Sequence, residues 1–242
     1  MKDYVDLHTH TVSSGHAYCT MNEMIKAAKD KGILMYGITD HAPAMPGTCT
    51  LMHFQNLRSI DRTAYGLELL LGVEVNILDQ YGTIDMEDAM LKQLDVVIAS
   101  QHINCMSETQ VSREKNTEAL IKVMQNPYVN IIGHPDDGRL PLDYPAVVQA
   151  AKEYQCLLEL NNSSLLPQTY RKRARENAIE YLQLCKEYGV EIIINSDAHV
   201  DTTVGNHAAA LALLEELDFP EELVVNADIE RAKKYLNRYR LH

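Results

Sequence analysis

Two histidines stand one residue apart near the start of the chain, His8 and His10, and His16 follows after a short loop. They come directly after Tyr4-Val5-Asp6-Leu7, which reads as a short buried strand. Side chains two apart on a strand point to the same side. A strand that ends on two imidazoles facing one way supplies half a metal site. Further along are His41, Glu74, His102, His134, Asp197 and His199, each at the end of an apolar stretch. Together these are seven of the ten histidines and two carboxylates. All offer nitrogen or oxygen, a donor set that suits zinc first, with manganese or iron as alternatives.

Nine donors exceed what one ion needs. With one carboxylate bridging two ions, they make about ten bonds, whereas three four-coordinate ions need roughly twelve. About two positions then stay open for water and substrate, as a catalytic site requires. Two or three divalent metal ions are therefore expected.

The elements that must position these donors alternate strand and helix. Thr20-Met21-Asn22-Glu23 is a capping box, so a helix is expected from there to Gly32. Strands are predicted over residues 4–7, 33–39, 67–77, 95–100, 129–133, 156–160 and 190–195. The third carries Glu74 and Asn76 on one face. Helices are predicted over 53–65, 86–92, 116–126, 143–154, 173–188, 204–216 and 227–239, with Pro145 in the first turn of one and Gly189 ending another. Seven βα steps with apolar strands imply a parallel sheet buried on both faces. Chemistry-bearing residues at the C-terminal ends of all seven strands favour a closed or nearly closed barrel over an open sheet with one switch point. The expectation is a distorted (β/α)7 barrel, with residues 1–242 as a single domain.

Composition narrows the class. Hydrophobic residues make up 46%, enough to fill a core. No apolar run reaches the length of a membrane span, and the start of the chain carries no signal-peptide pattern. Five cysteines, none in a C-x-x-C pair, point to the reducing cytoplasm rather than a disulfide framework. A net charge of −12 disfavours non-specific nucleic-acid binding, which needs a basic footprint. Bound ions would still make the site locally positive.

Other residues carry plainer expectations. Asp6 and Asp40 neighbour candidate ligands and are expected to orient imidazoles rather than bind metal. His53 is a candidate pocket-lining residue, while His207 and His242 read as surface.

Asp6-Leu7-His8-Thr9-His10, His16 and Ile38-Thr39-Asp40-His41 resemble the PHP family, the polymerase and histidinol phosphatase domain. Gly72-Val73-Glu74, Gly133-His134-Pro135 and Asn195-Ser196-Asp197-Ala198-His199 complete the pattern. Within that family, Gly15-His16-Ala17-Tyr18, His53-Phe54 and residues 159–164 look most like the YcdX-like phosphatases. The resemblance spans essentially the whole chain. It implies a distorted (β/α)7 barrel with a trinuclear site, often zinc. By that analogy His8, His10, Glu74 and Asp197 hold one ion. Glu74 bridges to a second held by His102 and His134, and His16, His41 and His199 hold the third. The chain departs from the family over residues 103–113 and at Tyr170-Arg171-Lys172-Arg173-Ala174-Arg175, segments expected to shape the substrate pocket.

The expected activity is hydrolysis of a small phosphomonoester by metal-bound hydroxide. Glu74 and Asp197 are the catalytic carboxylates, and Arg171 first, Arg58 second, are candidates to share the phosphate charge. Asn162 and Ser163 are candidate hydrogen-bond donors to phosphate or water. The nearest rival is a histidinol phosphatase. A nuclease or phosphodiesterase with the same ions would need a basic groove, and the chain has one basic run on an acidic background. A non-catalytic metal-binding domain would not be expected to keep all nine donors. No membrane or nucleic-acid partner is expected.

Overall fold

The structure is a computed structural model that describes residues 3–106 and 112–241. The expectation for His242, and part of that for residues 103–113, lies outside the described residues.

Among the described residues, eight strands run parallel to their neighbours: β1 (Val5–Asp6), β2 (Met35–Ile38), β3 (Glu68–Leu71), β4 (Val73–Asn76), β5 (Val97–Ser100), β6 (Ile131–Ile132), β7 (Leu157–Asn161) and β8 (Ile192–Asn195). They form sheets of three and five strands, β1 to β3 and β4 to β8, in chain order. Seven strand positions were expected, and the eighth strand comes from dividing the third at Gly72. β3 pairs with β2 and β4 pairs with β5. A Cβ at Gly72 would lie 2.1 Å from the Val96 carbonyl oxygen, so the strands meet there only because the side chain is absent.

The two sheets close on each other. Glu74 N donates to Asp40 O and Ala42 N to Glu74 O, carrying the β2 pairing onto β4. Thr9 bridges Ala198 in parallel, and His10 N donates to Ala198 O at 2.9 Å, joining the first strand to the last. The result is the distorted (β/α)7 barrel.

Helices α1 (Met21–Asp30), α2 (Leu51–Asn56), α3 (Asp88–Leu91), α4 (Arg113–Met124), α5 (Tyr144–Tyr154), α6 (Ala174–Tyr188), α7 (Ala208–Glu216), α8 (Ile229–Lys233) and α9 (Asn237–Arg240) fill the connections. The Thr20–Glu23 capping box starts α1, and Gly189, at φ 66°, ends α6. The predicted 86–92 helix is trimmed to α3, and three others are broken or start late. The 53–65 helix becomes α2 and two 3₁₀ turns, because Ser59 Oγ bonds Asn56 O and Asp61 caps Thr63 N. The 204–216 helix starts only at α7, where Asn162 Oδ1 accepts from Ala209 N and Ala210 N. The 227–239 helix splits into α8 and α9 around Leu236, which is fully buried. No helix among the described residues is long and apolar enough to cross a membrane.

Alternate strand residues serve two cores. Leu71, Val97, Leu158 and Ile194 pack with the helices. Val5, Leu7, Met35, Leu70, Val96, Ile98, Ile131, Leu157 and Ile193 form a separate apolar cluster, closed below by Val225, Ala232 and Leu236. That cluster fills the barrel, and the candidate donors stand at the strands' C-terminal ends.

Candidate metal centre

All nine predicted donors come together above the apolar filling. Glu74 is fully buried at their centre. Its Oε2 lies 2.7 Å from His41 Nδ1, 3.3 Å from His8 Nε2 and 3.5 Å from His10 Nε2. Its Oε1 lies 3.0 Å from His134 Nε2 and 3.4 Å from His102 Nε2. Asp197 Oδ1 lies 3.3 Å from His10 Nε2, 3.6 Å from His199 Nδ1 and 3.7 Å from His8 Nε2. The His16 ring stands 4.9 Å from those of both His41 and His199.

Three triples place their donor atoms within 4.8 Å of one another: His8, His10 and Asp197; His41, Glu74 and His102; His10, His41 and His199. The first agrees with the grouping the resemblance implied. In the others, His41 stands nearer Glu74 and His10 nearer His199 than that grouping supposed.

The donor set fits divalent cations on one further observation. His8 Nε2, His10 Nε2, His41 Nδ1 and Glu74 Oε2 are buried without a hydrogen-bond partner. Each such atom costs about 1–3 kcal/mol if nothing compensates it. Four of them converging on one small volume is what a cation site requires.

Neighbouring groups fix the rings. Glu159 Oε1 accepts from His8 Nδ1 at 2.7 Å, which leaves Nε2 facing the cluster. Asn76 Oδ1 lies 2.8 Å from His102 Nδ1 and does the same there. Ser14 Oγ lies 3.1 Å from His10 Nδ1 and donates to Asp40 Oδ1 at 2.6 Å. Asp40 thus reaches the ring of a candidate ligand, His10, through Ser14. Asp6 does not: it accepts from Ser196 and Gly205 N and faces His207. The His134 and Asp197 backbones lie at φ 29° and 53°, positions that L-residues adopt at a cost.

Electrostatics follow from burial and crowding. Burial, then His41 and His199, drives His10 well below the usual imidazole value. His102 is also lowered by burial. Burial opposes ionisation of Glu74, but His8, His41 and His102 hold it well below the carboxylate range. Burial also lowers His8, yet Glu159, Glu74 and Asp197 outweigh it and raise that imidazole.

Beside the cluster opens a cavity of about 440 Å³, lined by Met45, Pro46, Ile103, Arg139, Tyr170 and Arg171 among others. Arg171 is buried and donates to Asp197 Oδ2 at 3.1 Å and Ser164 Oγ at 3.1 Å. Arg58 is not there. It is exposed in a different groove, with Met21, Cys49 and His53, because the break after α2 turns it away. His53 lines that same groove and reaches Asp40 at 3.6 Å. Asn162 is committed to capping α7, and Asn161 stands in the site instead. Ser163 is not among the residues that line the cavity. His207 is 2% exposed, not surface, with its Nδ1 2.6 Å from Asp3 Oδ2.

Two residues escaped the sequence reading. Glu159 interrupts the apolar run Leu157-Leu158-Glu159-Leu160, a signal that it must be paired. Arg139 left no signal beyond its charge.

The PHP domain model matches residues 6–165. The chain belongs to the PHP family. Family members similar over their full length are called probable phosphatases. One from Acetivibrio thermocellus is 47% identical over 238 residues, covering 98% of this chain and 97% of that relative. Another, from Thermoanaerobacter sp., is 44% identical over 236 residues, covering 98% and 95%. Among solved structures, histidinol phosphate phosphatase from Lactococcus lactis, complexed with zinc, L-histidinol and phosphate, superposes with a TM-score of 0.62 at 18% identity, covering 90% of this chain and 95% of that one. A chain of archaeal ribonuclease P with mature tRNA does so at 0.59, also at 18% identity, covering 96% and 89%. At that identity both show likeness of fold alone.

Proposed function

We infer that this PHP protein is a metal-dependent phosphatase acting on a small phosphomonoester, with a site for three divalent ions. The observation that carries the reading is the set of four buried donor atoms without a hydrogen-bond partner, two of them, on His41 and Glu74, in residues that line one cavity with the buried Arg171. His8, His10, His16, His41, Glu74, His102, His134, Asp197 and His199 would hold the ions, with Glu74 shared between them. Zinc fits the donors, and it is the ion in the Lactococcus histidinol phosphate phosphatase structure. The name of the close relatives supports the activity.

Bound divalent ions lower the pKa of water and polarise a phosphoryl group. The chain's own residues do the rest. Glu159, Asn76 and Ser14 hold His8, His102 and His10 in the tautomers that face the cluster. Arg171 sets a fixed positive charge against the place where phosphate oxygens gain negative charge. Asp197 and Ser164 hold its guanidinium, so little ordering is left to do when substrate arrives. Burial in a low-dielectric wall strengthens that interaction.

The cavity is compact and fits a monoester better than a polynucleotide, which needs an extended groove. Histidinol phosphate carries an ammonium group, and Arg139 on the cavity wall would repel it. The five unpaired cysteines favour a cytoplasmic protein.

Metal-replete protein is expected to hydrolyse p-nitrophenyl phosphate and to leave single-stranded DNA intact. Cleavage of DNA without turnover of the ester would overturn the reading.

A further inference from the structure

The cavity holds two arginines, and their settings differ. Arg171 donates from Nη1 to Ser164 and Asn161 and from Nη2 to Asp197, and it adjoins the histidine cluster. Arg139 stands further out, half-buried, on the loop after β6. Asp137 engages only one edge of its guanidinium, with Nε 3.0 Å from Oδ1 and Nη2 2.5 Å from Oδ2. The same Oδ1 accepts from the Arg139 backbone N at 3.0 Å. Both the side chain and its backbone are therefore locked to one buried carboxylate.

A guanidinium has two edges that can grip a two-oxygen acceptor. In Arg139 the Nε–Nη2 edge is taken. Nη1 has no partner among the described residues, so the Nη1–Nη2 edge is free. Its plane is fixed from the side by Tyr170, whose ring centroid is 4.7 Å from the guanidinium carbon. The same ring lies 5.3 Å from the Arg171 guanidinium carbon. Tyr170 thus spaces two cations along one wall. Met45, Pro46 and Ile103 also line the cavity and offer apolar surface to a short carbon skeleton.

We propose that the substrate carries a second anionic group, a phosphate or carboxylate on the leaving-group side, gripped by the free edge of Arg139. The inference rests on the phosphomonoesterase reading and names its substrate class. That class is sugar bisphosphates or phosphorylated hydroxy acids, of a size the cavity accepts. Arg139 is preorganised by Asp137 and Tyr170, so a second anion meets a donor pair that needs no reordering.

The test is a set of matched pairs turned over by metal-replete protein. Glycerol 3-phosphate is compared with 3-phosphoglycerate, and fructose 6-phosphate with fructose 1,6-bisphosphate. The first pair tests a carboxylate and the second a phosphate. The doubly anionic member of at least one pair is expected to have kcat/KM higher by about tenfold or more. In Arg139→Gln the ratio within that pair is expected to fall to near one, with Arg139→Lys between. Near-equal turnover within both pairs by the unmodified protein overturns the proposal, without any need of a variant. So does a ratio that survives Arg139→Gln. If p-nitrophenyl phosphate and all four esters are inert, the phosphatase reading fails, and the proposal falls with it.

Discussion

His8 Nδ1 lies 2.7 Å from Glu159 Oε1, and both side chains are wholly buried. Glu159 accepts three more hydrogen bonds: Asn195 Nδ2 at Oε1, and His134 N and Asn161 Nδ2 at Oε2. Four donors on one carboxylate leave no room for an N–H of its own. In Glu159→Gln the amide nitrogen meets donors it cannot accept from, and the His8 ring loses its anchor. Metal affinity is expected to fall roughly 10- to 100-fold. Metal content after dialysis against graded chelator checks this, and unchanged retention would refute it.

Removing metal has a stability consequence as well as a catalytic one. Bound ions would compensate the atoms of His8, His10, His41 and Glu74 that lack a hydrogen-bond partner. Ions that bind the folded state alone stabilise it by about 1.4 kcal/mol for each tenfold excess over Kd. Chelator is expected to lower Tm and abolish turnover together, and zinc to restore both. Elemental analysis of replete protein is expected to give three ions per chain. Fewer than two would contradict the shared site.

Glu74→Gln is expected to lower kcat at least about a hundredfold, because the central carboxylate contacts five imidazoles. The exposed Lys26→Ala, far from the cluster, is the control. Arg171→Ala is expected to raise KM for phosphate esters about tenfold. A rise in KM with normal metal content identifies a phosphate contact. Loss of metal instead would make Arg171 only a support for Asp197.

His207 predicts how stability varies with pH. Burial lowers its pKa, but Asp3 and Asp6 outweigh that and raise it to about 9, against 6.5 for a free imidazole. The folded state therefore holds this proton more tightly than the unfolded chain. Its contribution is complete below pH 6.5, declines as pH rises, and is gone above about pH 9. The amount is on the order of 3 kcal/mol. The fall in Tm between pH 6.5 and 9.5 is expected to be smaller in His207→Gln. Parallel curves would remove the assignment.

Much of the centre was legible because its chemistry is local. A histidine at the end of an apolar run says where it will be, whatever lies across the barrel. The capping box at Thr20 and Glu23 is likewise complete within four residues. What escaped depends on partners distant in sequence. Asp3 lies 204 positions from His207, and Glu159 lies 151 from His8. Neither pairing exists until the ring of strands is made, so His207 read as surface and Glu159 was given no role. Arg58 failed for a related reason. Its charge was visible, but the break after α2 that turns it away comes from the side-chain contacts of Ser59 and Asp61. The division at Gly72 showed only when Val96 was seen against it.

Asn226 lies beneath the barrel. Its Nδ2 donates to Val5 O and Ile194 O, and its Oδ1 accepts from Ile194 N, at 2.7 to 2.8 Å. One amide thus laces β1 to β8, and Val225, Ala232 and Leu236 cork the opening beside it. All of these residues leave the ribosome after every strand. A nascent chain can assemble neighbouring βα units as they emerge, but the seam waits for the tail. Until then the floor of the cylinder lies open to water, and synthesis halted before residue 225 would leave a product prone to aggregate.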